Sequence, residues 1–128
     1  MPVTYEINND RHTIRTRCIG DVTFAEVIDH FRVLASDPLC PARLHVLLDL
    51  TKITSSPTTD QLLKVSDTIG HTQEKIRFDS CAIVAPSDLM FGVMRMFEVF
   101  TEGKFSSTKT FRGIGEAERW LAEQLSRT

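Results

Sequence analysis

The chain has 128 residues, 41% hydrophobic and 25% charged, and its 15 basic and 17 acidic residues give a formal charge of -2. That length suffices for one domain (1–128) with a self-supporting core, and the near-balanced charge, without a block of one sign, speaks against a nucleic-acid footprint. Cys18, Cys40 and Cys81 are odd in number, far apart and without CxxC spacing, which argues against a disulfide framework or a zinc site and favours a reducing cytoplasm.

The opening MPVTYEINND has neither a basic start nor an apolar stretch of signal length. Nowhere is there an apolar run long enough to span a bilayer, so neither export nor membrane insertion is expected. Val3 to Asn8 alternates apolar and polar residues and His12 to Cys18 sets Ile14 among polar ones, so both read as strands, joined by a turn at Asn8, Asn9 and Asp10. After Gly20, Thr23 and Glu26 form a capping box, and Phe24, Val27, Ile28, Phe31, Leu34 and Ala35 recur at helical spacing up to Asp37 and Pro38.

Leu44 to Leu50 is a nearly continuous apolar run, the pattern of a central strand buried on both faces. A polar loop, TKITSSPTT, leads into a second helix carrying Leu62, Val65 and Ile69, capped by Thr58 or Thr59 and subject to early termination at Gly70. Cys81 to Ala85 reads as a buried strand ending at Pro86. A third helix follows, capped by Ser87, with Asp88 in its first turn and Gly103 placed to close it. Ser107 to Phe111 is a last strand and Glu116 to Leu125 a last helix. The order is β-β-α-β-α-β-α-β-α: an α/β fold with a mostly parallel five-stranded sheet, an antiparallel first strand, and helices on both faces.

In such sheets ligands collect beyond the carboxyl ends of the strands. Two loops, Asp49 to Thr59 and Pro86 to Asp88, bring Asp49, Thr51, Ser55, Ser56, Thr58, Thr59, Ser87 and Asp88 to that edge. Helix starts there can hold an anion, but Thr58 and Ser87 are good caps, Asp60 and Asp88 already occupy the first turns, and neither GxGxxG nor GxxxxGK[ST] is present. His12, His30, His45 and His71 form no HExxH pattern, and the turn VAPSDLM is not a GxSxG elbow. No catalytic residue, metal ligand or cofactor is assigned, and the chain is not expected to be an enzyme.

The third helix is the strongest functional signal. Leu89, Met90, Val93, Met94, Met96, Phe97, Val99 and Phe100 spread over an arc of roughly 220°, about twice what one packed face requires. The excess fits core packing, a homodimer contact, an apolar pocket or a partner's groove, and methionine adapts to each of these.

The element order, the run from LHVLLDLTKI through SSPTTDQL, and the stretches CAIVAPSDLMFGVMRMFEVF and FRGIGEAERWL together resemble the small bacterial SpoIIAA-like proteins, which are related to STAS domains and compared with the lipid-binding SEC14 domain. The resemblance covers nearly the whole chain and implies a five-stranded sheet with four helices and a non-enzymatic role in binding or regulation. STAS antagonists of anti-sigma factors carry a phosphorylatable serine in an Asp-Ser-Ser-Gly turn at the start of the second helix. Counting from Asp49, this chain has Pro57, Thr58, Thr59 and Asp60 there, so the hydroxyls survive without the flanking Asp and Gly.

The expected role is therefore a cytoplasmic domain that accommodates a hydrophobic or lipid-like ligand between the second helix (Leu62, Leu63, Ser66) and the third (Met90, Met94, Phe97). The alternative is a protein-interaction module, a homodimer or an anti-sigma-antagonist-type regulator, using the same helix and the loop from Thr54 to Asp60, with Ser56, Thr58 and Thr59 as phospho-switch or partner-contact positions.

Overall fold

The computed structural model describes residues 2–127. The chain runs β1 (Val3–Asn8), β2 (Thr13–Gly20), α1 (Phe24–Ala35), β3 (Arg43–Ile53), α2 (Thr59–Thr72), β4 (Arg77–Val84), α3 (Asp88–Phe100), β5 (Ser107–Phe111) and α4 (Ile114–Ser126). All nine elements stand in the expected order. The sheet order is β1-β2-β3-β4-β5, with β1 antiparallel to β2 and every other pair parallel.

This strand order fixes where the helices go. Each right-handed crossover moves one strand further in the same direction, so α1, α2 and α3 all land on one face of the sheet. Leu34, Leu62, Met90, Met94 and Phe97 meet alternate sheet residues such as Ile14, Leu44, Leu50 and Ile83 there, in the larger core. The last helix has no strand after it and folds onto the opposite face, where Ala117 and Leu121 pack on Leu47, Ala82, Val84 and Phe111. One face therefore carries three helices and the other carries one.

Two strands are longer than their apolar runs. β3 continues through Thr51, Lys52 and Ile53 because the end of β2 pairs with it, Ile19 opposite Lys52 and Gly20 opposite Ile53. β4 begins at Arg77, and a bulge between the pairs Leu44–Phe78 and Val46–Cys81 keeps Phe78 and Cys81 on the same core face. The polar Asp79 inside this bulge is 4% exposed and is held by Arg43 Nη2 at 3.0 Å and Arg77 Nε at 3.5 Å. The second helix passes through Gly70 and ends at Thr72.

Helix starts follow the local chemistry. Thr23 and Thr58 each build a full capping box, with Glu26 and Gln61 respectively, and Ser87 Oγ accepts from Met90 N at 3.2 Å. Past the end of α3, Gly103 adopts φ +83°, a left-handed conformation that closes the helix before the chain turns to β5.

Candidate functional site

The burial pattern along β3 locates the site. In a central strand covered on both faces every side chain should be sealed, and Leu44, Leu47 and Leu50 are. Val46 and Leu48, which point to the three-helix face, are only partly buried. They are partly accessible because they line a cavity of about 160 Å³ between the sheet and α1, α2 and α3.

Each layer contributes a wall. The sheet supplies Ile14, Thr16, Val46 and Leu48; α1 supplies Val27, His30 and Phe31; α2 supplies Leu62, Val65 and Ile69; α3 supplies Met90, Met94 and Phe97. Almost all of this is hydrocarbon. At the carboxyl end of β2 and β3 the cavity reaches Val22, Thr23, Ser55 and Gln61, the edge where sheets of this class bind ligands.

The polar groups at that end are engaged by the protein itself. Ser55 Oγ accepts from Val22 N at 2.9 Å, Thr23 Oγ1 from Glu26 N at 3.2 Å, and Gln61 Oε1 from Thr58 N at 2.9 Å. The two thiols on the wall are held protonated: burial pushes Cys18 up to about 11, with Asp49 adding to the effect, and raises Cys81 further. Burial pushes His30 down to about 4, so its imidazole is neutral at pH 7. The cavity thus offers a largely apolar, uncharged interior.

No family model and no curated protein matches the sequence. Among solved structures, the chain matches an uncharacterized protein from the DUF3478 family with a SpoIIAA-like fold, from Shewanella loihica PV-4. The identity is 20%, the match covers 93% of this chain and 91% of that one, and the TM-score is 0.61. The chain has a SpoIIAA-like fold.

On this SpoIIAA-like framework, Leu62, Met90, Met94 and Phe97 come together on the cavity wall. Two other residues singled out in the sequence go elsewhere. Leu63 is 45% exposed and not part of the wall. Ser66 is buried, its hydroxyl donating to the Phe100 carbonyl at 2.7 Å and accepting from Lys104 Nζ at 2.7 Å, so it ties α2 to the end of α3. The cavity lies under three helices and against the sheet, not between α2 and α3 alone. Thr16, His30, Val46 and Leu48 belong to it although no local sequence signal marks them, because only the packing of the helices over the sheet brings them there.

The strand-end polar residues do not form one cluster. Asp49 points to the α4 face, where Arg15 Nη2 lies at 3.3 Å and Thr51 Oγ1 donates at 2.6 Å. Burial works to raise its pKa, but the hydrogen bonds from Thr51 and Arg15 prevail and hold it below the usual carboxylate value. Asp88 pairs with Arg112, whose guanidinium lies 4.4 Å from the centre of the Phe91 ring. Ser56, Thr58 and Thr59 are exposed, with the Thr58 hydroxyl accepting from Gln61 N at 3.2 Å. Among the described residues no group of three or more His, Cys, Asp or Glu side chains could hold a metal ion, and no helix is long and apolar enough to cross a membrane.

Proposed function

We propose that this SpoIIAA-like domain is a non-enzymatic binding domain whose ligand is a compact hydrophobic molecule, or the end of a lipid-like one, seated under α1, α2 and α3. The observation that carries this reading is the partial exposure of Val46 and Leu48 in the middle of the central strand. A cavity of about 160 Å³ forfeits packing contacts that the fold could have made, and each such loss costs stability. Its size suits a ligand on the scale of benzene, which an apolar cavity of roughly 150 Å³ is known to accept. Binding gains about 25 cal/mol for each Å² of apolar surface withdrawn from water. The three unpaired cysteines fit a cytoplasmic setting.

Native mass spectrometry and solvent extraction of the purified protein, followed by thermal-shift titration with aromatic probes and fatty acids, test the proposal. Bound ligand or uptake is expected, with a stabilisation of about 2.7 kcal/mol once a probe reaches a hundredfold excess over its Kd. Val46→Phe, which fills the cavity from the sheet, should abolish uptake. Empty protein that takes up no probe would refute the proposal.

A second reading rests on a separate observation. Leu89 (66% exposed), Val99 (61%) and Met96 (40%) leave an uncovered side of α3, with Leu63 exposed on the neighbouring α2. As a protein-interaction module, through self-association or as an anti-sigma-antagonist-type regulator, the domain would use this side and the loop from Thr54 to Asp60. Sedimentation and pull-down of wild type against Val99→Asp test this reading, since the change should dissolve a complex while leaving the fold and the cavity intact.

A further inference from the structure

The polar atoms around the cavity are unevenly committed. At its carboxyl-edge end Thr23, Ser55 and Gln61 all hold backbone partners. On the β1–β2 side the situation is reversed. Thr16, 5% exposed, and His30 both line the cavity, and neither side chain makes a hydrogen bond with another described residue.

These two belong to one corner. Thr16 stands opposite Tyr5 in the β1–β2 register, and the His30 ring meets the Tyr5 ring edge-on at 5.5 Å between centroids. The Tyr5 hydroxyl is not a competitor for either, because it donates to Asp37 Oδ2 at 2.6 Å. A hydroxyl and a neutral imidazole that line the cavity without a protein hydrogen-bond partner are open to a polar group of a ligand. One ligand group could meet both.

Building on the hydrophobic-ligand reading, we infer that the cavity takes a compact, uncharged molecule with an apolar body and one hydroxyl group, of the phenol or short-alcohol class, the hydroxyl being read by Thr16 and His30. The valences match: a ligand hydroxyl donates once and accepts once, while Thr16 and a neutral imidazole can each supply the complement. A carboxylate is disfavoured, because it would bring a charge into an apolar enclosure beside an imidazole held neutral there.

Isothermal titration with benzene, phenol and benzoate at pH 7, on wild type, Thr16→Val and His30→Leu, tests this inference. Without partners in the cavity phenol should bind more weakly than benzene, since its hydroxyl must leave water. The inference requires the opposite, phenol about tenfold tighter than benzene and benzoate weakest. Thr16→Val, which keeps the shape of the side chain, should reduce the ratio of phenol to benzene affinity severalfold, and continued benzene binding shows that the cavity is intact. Benzene binding without a phenol preference, or a preference that survives both substitutions, would overturn the hydroxyl assignment and leave the hydrophobic-ligand reading standing. If none of the three probes binds wild type, the hydroxyl assignment falls, and the hydrophobic-ligand reading falls with it when fatty acids are not taken up either.

Discussion

Ser55 Oγ accepts a hydrogen bond from Val22 N at 2.9 Å and lies 3.3 Å from the Val22 carbonyl, to which it can donate in return. One serine thus fastens the loop after β3 to the loop after β2, alongside a backbone bond from Thr54 N to the Gly20 carbonyl at 2.9 Å. Both loops border the carboxyl-edge end of the cavity. Ser55→Ala leaves the Val22 amide without its acceptor, and a destabilisation of about 1–2 kcal/mol is expected from chemical denaturation. The loosened edge should also speed probe exchange, raising koff in stopped-flow displacement more than it changes kon.

The two sides of α3 should respond differently to mutation. Met94 is 4% exposed and lines the cavity, whereas Val99 is 61% exposed. Met94→Ala removes buried hydrocarbon and enlarges an existing void, for an expected loss of about 2–5 kcal/mol, while Val99→Ser should stay within about 0.5 kcal/mol. Urea midpoints of the two variants check this. The enlarged cavity of Met94→Ala should also accept a bulkier probe than wild type does.

That contrast shows what could be read from the sequence and what could not. The apolar arc of α3 is a local pattern, so Met90, Met94 and Phe97 were legible as a face. Which part of the arc is covered depends on the sheet and on α2, so the exposure of Leu89, Met96 and Val99 was not. The element order was legible because each strand and helix carries its own periodicity. The ends of β3 and β4 were not, because Lys52 is in a strand only through its pairing with Ile19, and Asp79 is buried only because Arg43 and Arg77 reach it. His30 looked like one more helical residue, and its place beside Thr16 depends on α1 lying over β1 and β2.

His30 makes the protein's stability depend on pH in a defined window. Burial lowers its pKa from 6.5 to about 4 in the folded state. Between these values the unfolded chain holds a proton that the folded one does not, so stability is full above pH 6.5 and falls as the pH is lowered toward 4. His30→Gln should remove this contribution, which amounts to a slope of up to about 1.4 kcal/mol per pH unit. His45 is also depressed, by burial against the opposing pull of Asp79, and it titrates in both proteins. The difference between wild type and variant at pH 7 and pH 5, measured in urea, therefore isolates His30. An unchanged difference would mean that the imidazole is solvated rather than buried at the cavity wall.

Two glycines of the α3 region should give opposite results when replaced by alanine. Gly92 lies inside the helix, and a Cβ built on it meets nothing within 4 Å. Alanine there restricts the unfolded chain and improves helix propensity without a clash, so a gain of about 0.5–1 kcal/mol and a rise of a few degrees in Tm are expected. Gly103 also has open space around a built Cβ, but its φ is +83°. An alanine there must hold a left-handed conformation, at a cost of about 1–2 kcal/mol. Differential scanning calorimetry of Gly92→Ala, Gly103→Ala and the pair should show shifts of opposite sign that add in the double variant to a smaller net loss than Gly103→Ala alone, because the sites are eleven residues apart and share no contact through a Cβ. If Gly92→Ala also weakens a complex formed through the exposed side of α3, the missing side chain at that position serves close approach by a partner rather than the helix itself.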